Sequence, residues 1–145
     1  YDLARWACLE DCAQALANNK TYDTWQQGFL NIFNAVLENK PFIKNVYHAL
    51  DREQIENYLN TQTHELLMGV IEEQAIGMFI SEKDKEFIAD FFKYAFNGIM
   101  LIWIADDMKE DPKYIVDRVS TLIHGDISYA LNAFRKDKIL SNDKK

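Results

Sequence analysis

Glycine, proline and cysteine are all scarce in this chain of 145 residues, numbering five, two and two. Scarce glycine and proline suit long helices joined by short turns. Cys8 and Cys12 stand one helical turn apart, so they build no disulfide framework, and reduced thiols in the cytosol are the simpler reading. Basic charge is short as well. Lys and Arg total 16 against 23 Asp and Glu, giving a net charge of −7 and a pI near 4.9. An acidic chain of this kind is a poor direct partner for a phosphate backbone. No signal-peptide pattern, internal repeat, low-complexity block or strand-period segment appears.

The usual chemical motifs are missing too. His64-Glu65 starts like the helical zinc-protease motif, but the position of the second His is Met68. Di-iron bundles need a Glu three residues before a His. Asn45, Thr61 and Thr121 stand there instead, ahead of His48, His64 and His124. There is no phosphate loop, no Gly-x-Ser-x-Gly and no Cys-x-x-Cys. No enzymatic activity, catalytic residue, metal or cofactor is therefore expected.

What the chain does hold is apolar bulk: 48% hydrophobic residues and 13% aromatics, enough for one all-α domain with a proper core. Helices are predicted over residues 1–17, 22–39, 41–49, 51–77, 81–107 and from Pro112 to about 134. Thr21, Asp51 and Ser81 serve as N-caps, and Pro41 and Pro112 as first-turn residues. The stretch 60–65 is polar, so its helix is expected to be only partly buried. Asp106-Asp107, unfavourable at a helix C-terminus, reads as a solvated helix end. The domain is placed at residues 1–137, with 138–145 a charged, disordered tail.

Residues 87–108 organise the rest. Phe87, Phe91, Tyr94 and Leu101 share one helical side; Ile88, Phe92, Ala95, Ile99 and Ile102 a second; Phe96, Met100 and Trp103 a third. A helix apolar nearly all round must be covered on more than one side, and a second copy of the chain is a natural cover. Asp90, Lys93 and Asn97 interrupt the run, and Asp106-Asp107 follow without a basic flank, so a membrane span is not expected.

Each candidate also has a plainer reading. Cys8 and Cys12 form either a redox or metal pair or two small core side chains. His48 and His64 either reach a shared cavity or lie half-exposed. Phe29, Phe33, Tyr47, Met68, Phe92, Phe96 and Trp103 are either plain core or the lining of a small-molecule pocket.

The pattern Gly98-x4-Trp103-x4-Met108-x3-Pro112-x2-Ile115, a long apolar helix turning into a Pro-started amphipathic one, resembles the C-terminal domain of TetR-family transcriptional regulators. The likeness is nearest to the subgroup that includes regulators of dihydroxyacetone-kinase operons. The opening Tyr1-Asp2-Leu3 resembles the junction at which the family's helix-turn-helix ends, and the chain starts without Met. The resemblance implies a bacterial, cytoplasmic regulator whose DNA-binding unit lies outside this chain, so DNA is reached only through that absent N-terminal domain. It implies a six-helix fold whose last two long helices form a four-helix homodimer interface, and an effector cavity among the preceding helices. The ligand set is then Phe29, Phe33, Tyr47, His48, Tyr58, His64, Met68, Phe92, Phe96 and Trp103. The interface set is Phe91, Ala95, Gly98, Ile99, Ile102, Val116, Val119, Ile123 and Ile127, with Gly98 and Gly125 allowing close helix approach. The alternatives are a docking module with a partner protein and no ligand, or a helical-bundle enzyme or metal carrier.

Overall fold

The computed structural model describes residues 25–48 and 52–137, which form helices and no strand. In chain order these are α1 (Trp25–Glu38), α2 (Lys40–His48), α3 (Arg52–Gln74), α4 (Glu82–Ala105), α5 (Pro112–Ile123) and α6 (Asp126–Phe134). The helix expected at 1–17, the Cys8–Cys12 pair, the Thr21 and Asp51 caps and the 138–145 tail lie outside the described residues.

α3 and α4 share the most extensive contact in the fold, and α1, α2 and α6 all pack on this pair. α5 packs chiefly on α1, with Gln26 Nε2 donating to Ser120 Oγ at 2.8 Å. By length and composition α4 would suffice to cross a membrane. In the fold it is the central core helix, burying Ile88, Phe92, Phe96, Met100, Trp103 and Ile104.

Its buried polar residue explains the seam with α3. Asn97, 6% exposed, donates through Nδ2 to Asn60 Oδ1. Its Oδ1 lies 2.9 Å from the hydroxyl of Thr63, which is also 2.6 Å from Leu59 O. The single hydroxyl hydrogen serves one acceptor at a time. The polar stretch 60–65 is partly buried, as its composition suggested: Gln62 and Thr63 are buried, Asn60 and His64 half-buried, and Thr61 and Glu65 exposed.

The helix ends are chemically specified. Ser81 Oγ accepts the Asp84 N–H at 3.1 Å, and Asp111 Oδ1 accepts the Lys113 N–H at 3.0 Å with Pro112 in the first turn. At the end of α4, Met108 N–H donates to Trp103 O (2.9 Å) and Asp107 N–H to Ile104 O (3.0 Å), closing a Schellman motif. Asp107 and Met108 take φ of 66° and 54°, a conformation unfavourable for L-residues. Three contacts hold it: Lys44 Nζ to Asp107 Oδ1 at 2.6 Å, Trp103 Nε1 to Glu110 O at 2.9 Å, and burial of the Met108 side chain. Asp107 is thus a helix-closing residue tied to α2, not merely a solvated end. The Lys44 ammonium holds its carboxyl below the usual carboxylate range.

The helix expected to run unbroken from Pro112 breaks at Gly125, which adopts φ 77° and caps α6. Glycine takes this left-handed conformation without a Cβ clash, so Gly125 turns the chain and does not serve close helix packing. The last apolar stripe is thereby split. Ile115, Val116 and Val119 are buried on α5, and Ile127 and Leu131 on α6, which packs against α3 and α4. Beyond α6, Lys136 N–H donates to Phe79 O (2.6 Å) and Asp137 Oδ1 accepts the Phe79 N–H (3.2 Å). Arg135 pairs with Asp137 at 2.6 Å and holds that carboxyl far below its ordinary value.

Two outcomes follow from these links. Asn97→Ala removes the buried amide and is expected to lower the unfolding free energy by about 1–3 kcal/mol, read from urea denaturation. An unchanged midpoint would show that the seam does not depend on it. Asp107 and Asp137 both titrate lower in the folded chain than unfolded. Their contribution is therefore present above an ordinary carboxylate pKa and is lost as pH falls through the folded values. A chain carrying Asp107→Asn and Asp137→Asn should be less stable than the parent at neutral pH, with the difference shrinking steadily below about pH 4.

Candidate functional site

The interior is an aromatic stack built by helical spacing. Trp25, Phe29 and Phe33 recur every fourth residue on α1, and Phe92, Phe96 and Met100 do the same on α4, with Trp103 three residues further on. Phe29 meets Phe96 at 4.4 Å between ring centroids and Phe33 at 4.9 Å. Phe96 meets Trp25 at 5.4 Å, and Phe33 stands edge-on to Trp103 at 4.8 Å. Such tilted and edge-to-face pairs add to simple area burial. Phe29 and Phe33 are wholly buried.

The candidate ligand residues fall into three places. Phe29, Phe33, Tyr58, Phe92, Phe96 and Trp103 are buried in the core. Tyr47 and His48 form the last turn of α2, ring to ring at 5.7 Å, with the Arg52 guanidinium 4.7 Å over Tyr47. Tyr47 is half-buried and His48 exposed. His64 and Met68 are half-buried along α3, and His64 Nε2 stands 3.4 Å from Glu86 Oε2 of α4.

The candidate interface residues divide as well. Phe91 and Ile102 are 68% and 71% exposed, and Ala95 is exposed beside them. Gly98, Ile99 and Ile123 are half-buried, while Val116, Val119 and Ile127 are buried within the protomer. Gly98 has no atom within 4 Å of where a Cβ would stand, so the helix surface there is open. An open groove of about 290 Å³ lies between α4 and α5, with Ile99, Ile102, Ile115, Val119 and Leu122 along it and Asp106, Glu110 and Arg118 at its margin. Arg118 pairs with Glu110 at 3.1 Å and stacks near Tyr114.

Sequence reasoning passed over several of these. Leu122 is 76% exposed, and helical phase within a single presumed helix did not separate it from its buried neighbours. Asn60 and Asn97 were visible only as polar interruptions. A depression of about 270 Å³ opens over them, lined also by Glu56, Tyr94, Gly98 and Leu101. An amide inside the most apolar helix was itself a signal, because a buried amide requires partners.

No curated protein sequence matches the chain significantly. A family model described as a transcriptional regulator C-terminal region, of the TetR type, matches residues 23–125. That span takes in α1 through α5 and most of the chain, and the chain belongs to the C-terminal domains of TetR-family transcriptional regulators.

Proposed function

We propose that this chain is the effector-sensing and dimerisation domain of a bacterial, cytoplasmic regulator, controlling DNA binding by a helix-turn-helix outside it. The observation that carries the reading is the apolar surface left open on α4 and α5. Phe91, Ile102 and Leu122 expose 68%, 71% and 76% of their area on a domain that already has a full core. Ile102 and Leu122 line one apolar groove; apolar exposure of this kind marks an interaction surface, and a self-complementary face closes as a two-fold dimer. The partner is a second copy, with α4 and α5 of each protomer forming a four-helix contact.

The sensing role is supported by the aromatic interior. A flat apolar effector would separate the rings of α1 and α4. Because α4 carries both those rings and the dimer face, that displacement would reset the spacing of the two DNA-binding units. Recognition helices must match half-sites in successive major grooves, so spacing decides operator affinity. The second reading, a docking module, shares the exposed face and lacks the effector.

Ile102→Glu or Leu122→Glu places charge on the open face without touching the core, and either should shift sedimentation from dimer to monomer while leaving helicity unchanged. A parent chain that sediments as a monomer at high concentration overturns the interface. For sensing, an effector at a hundredfold excess over its Kd should stabilise the fold by about 2.7 kcal/mol, a rise in Tm on the order of 5–10 °C. Uniform failure across a chemically broad metabolite library would leave the docking module.

A further inference from the structure

His64 of α3 and Glu86 and Asp90 of α4 meet on the seam between the two longest helices. One ligand atom from each lies within 4.8 Å of the others. Glu86 and Asp90 are four residues apart, so both carboxylates leave the same face of α4 and converge on the imidazole from across the seam. We propose that these three side chains form a binding site for a divalent transition-metal ion of the zinc class.

The His64–Glu86 distance suits it, and the remaining ligand atoms lie within 4.8 Å. Metal–nitrogen and metal–oxygen bonds of about 2.0–2.2 Å in a tetrahedral site place neighbouring ligand atoms roughly 3.3–3.5 Å apart, and His64 Nε2 is 3.4 Å from Glu86 Oε2. An imidazole with two carboxylates selects zinc, manganese or iron over calcium or magnesium, which prefer all-oxygen shells. All three side chains are reachable from solvent, at 34% exposure for His64, 49% for Glu86 and intermediate exposure for Asp90. Three protein ligands leave a further coordination position for water or an exogenous group. An open depression lined by Lys83, Asp84, Phe87 and Phe134 borders Glu86 and Asp90 and gives the ion its approach.

The competing cation is Lys93, whose Nζ lies 3.1 Å from Asp90 Oδ1. That pair is one part-buried contact between residues three apart on α4, and a doubly charged ion held by an imidazole and two carboxylates displaces it. Metal at this point straps α3 to α4 near the start of α4. The site goes beyond the proposed sensing role and stands or falls separately from it.

The test uses the full chain with Cys8→Ser and Cys12→Ser, which removes the thiols as rival ligands. After stripping with chelator, the chain is titrated with zinc chloride in a calorimeter. One zinc per chain is expected. His64→Ala, Glu86→Gln and Asp90→Asn in this background should each weaken binding at least about tenfold, with the far-UV circular dichroism of the parent. The Gln and Asn replacements keep side-chain shape, so a misfolded His64→Ala variant would not remove the readout. A chain that takes up no zinc, or unchanged affinity in the Glu86→Gln and Asp90→Asn variants, overturns the site.

Discussion

Asn97 sits in the middle of the most apolar helix of the chain, and its burial is tolerated only because α3 brings Asn60 and Thr63 to meet it. An unpartnered buried amide is costly, whereas a satisfied one fixes where its neighbour must stand. Hydrophobic contact alone would let α3 slide along α4. The amide contacts make one register better than its alternatives, and α1, α2 and α6 all pack on the pair so aligned. The aromatic stack of Phe29, Phe33, Phe96 and Trp103 depends on the same alignment, since two of its rings belong to α4.

Two backbone features then decide which parts of α4 stay open. The left-handed closure at Asp107 and Met108, anchored by Lys44 and the Trp103 indole, ends the helix sharply and sends the chain away before Pro112. Gly125 turns it again, so that α6 returns to α3 and α4 while α5 lies chiefly on α1. Between these turns α4 and α5 leave an apolar groove uncovered by the protomer. One helix thus presents aromatic rings to the interior and apolar side chains to the outside. A regulator needs such an element, because an event inside can then be felt at a surface.

Much of the architecture was legible in the sequence. The cap at Ser81 and the first-turn Pro112 are local chemistry, and the spacing of Phe92, Phe96, Met100 and Trp103 marks a buried helical face whatever surrounds it. The family pattern running from Gly98 to Ile115 carried the class. The site was legible only in part. Phe29, Phe33, Phe96 and Trp103 stand together as aromatic spacing on two helices suggested, but Tyr47 and His48 lie at the end of α2, and His64 faces Glu86.

Local periodicity by itself determined that the chain is helical and where most of its described helices begin. Only the tertiary structure decided which side faces inward, because helical phase assigns residues to faces without assigning faces to neighbours. Only the folded chain split the last stripe at Gly125, since a left-handed glycine and a helical one look alike in sequence. And only the packing of α3 on α4 placed His64 beside Glu86 and Asp90, residues more than 20 positions apart, where separation along the chain carries no trace of proximity in space.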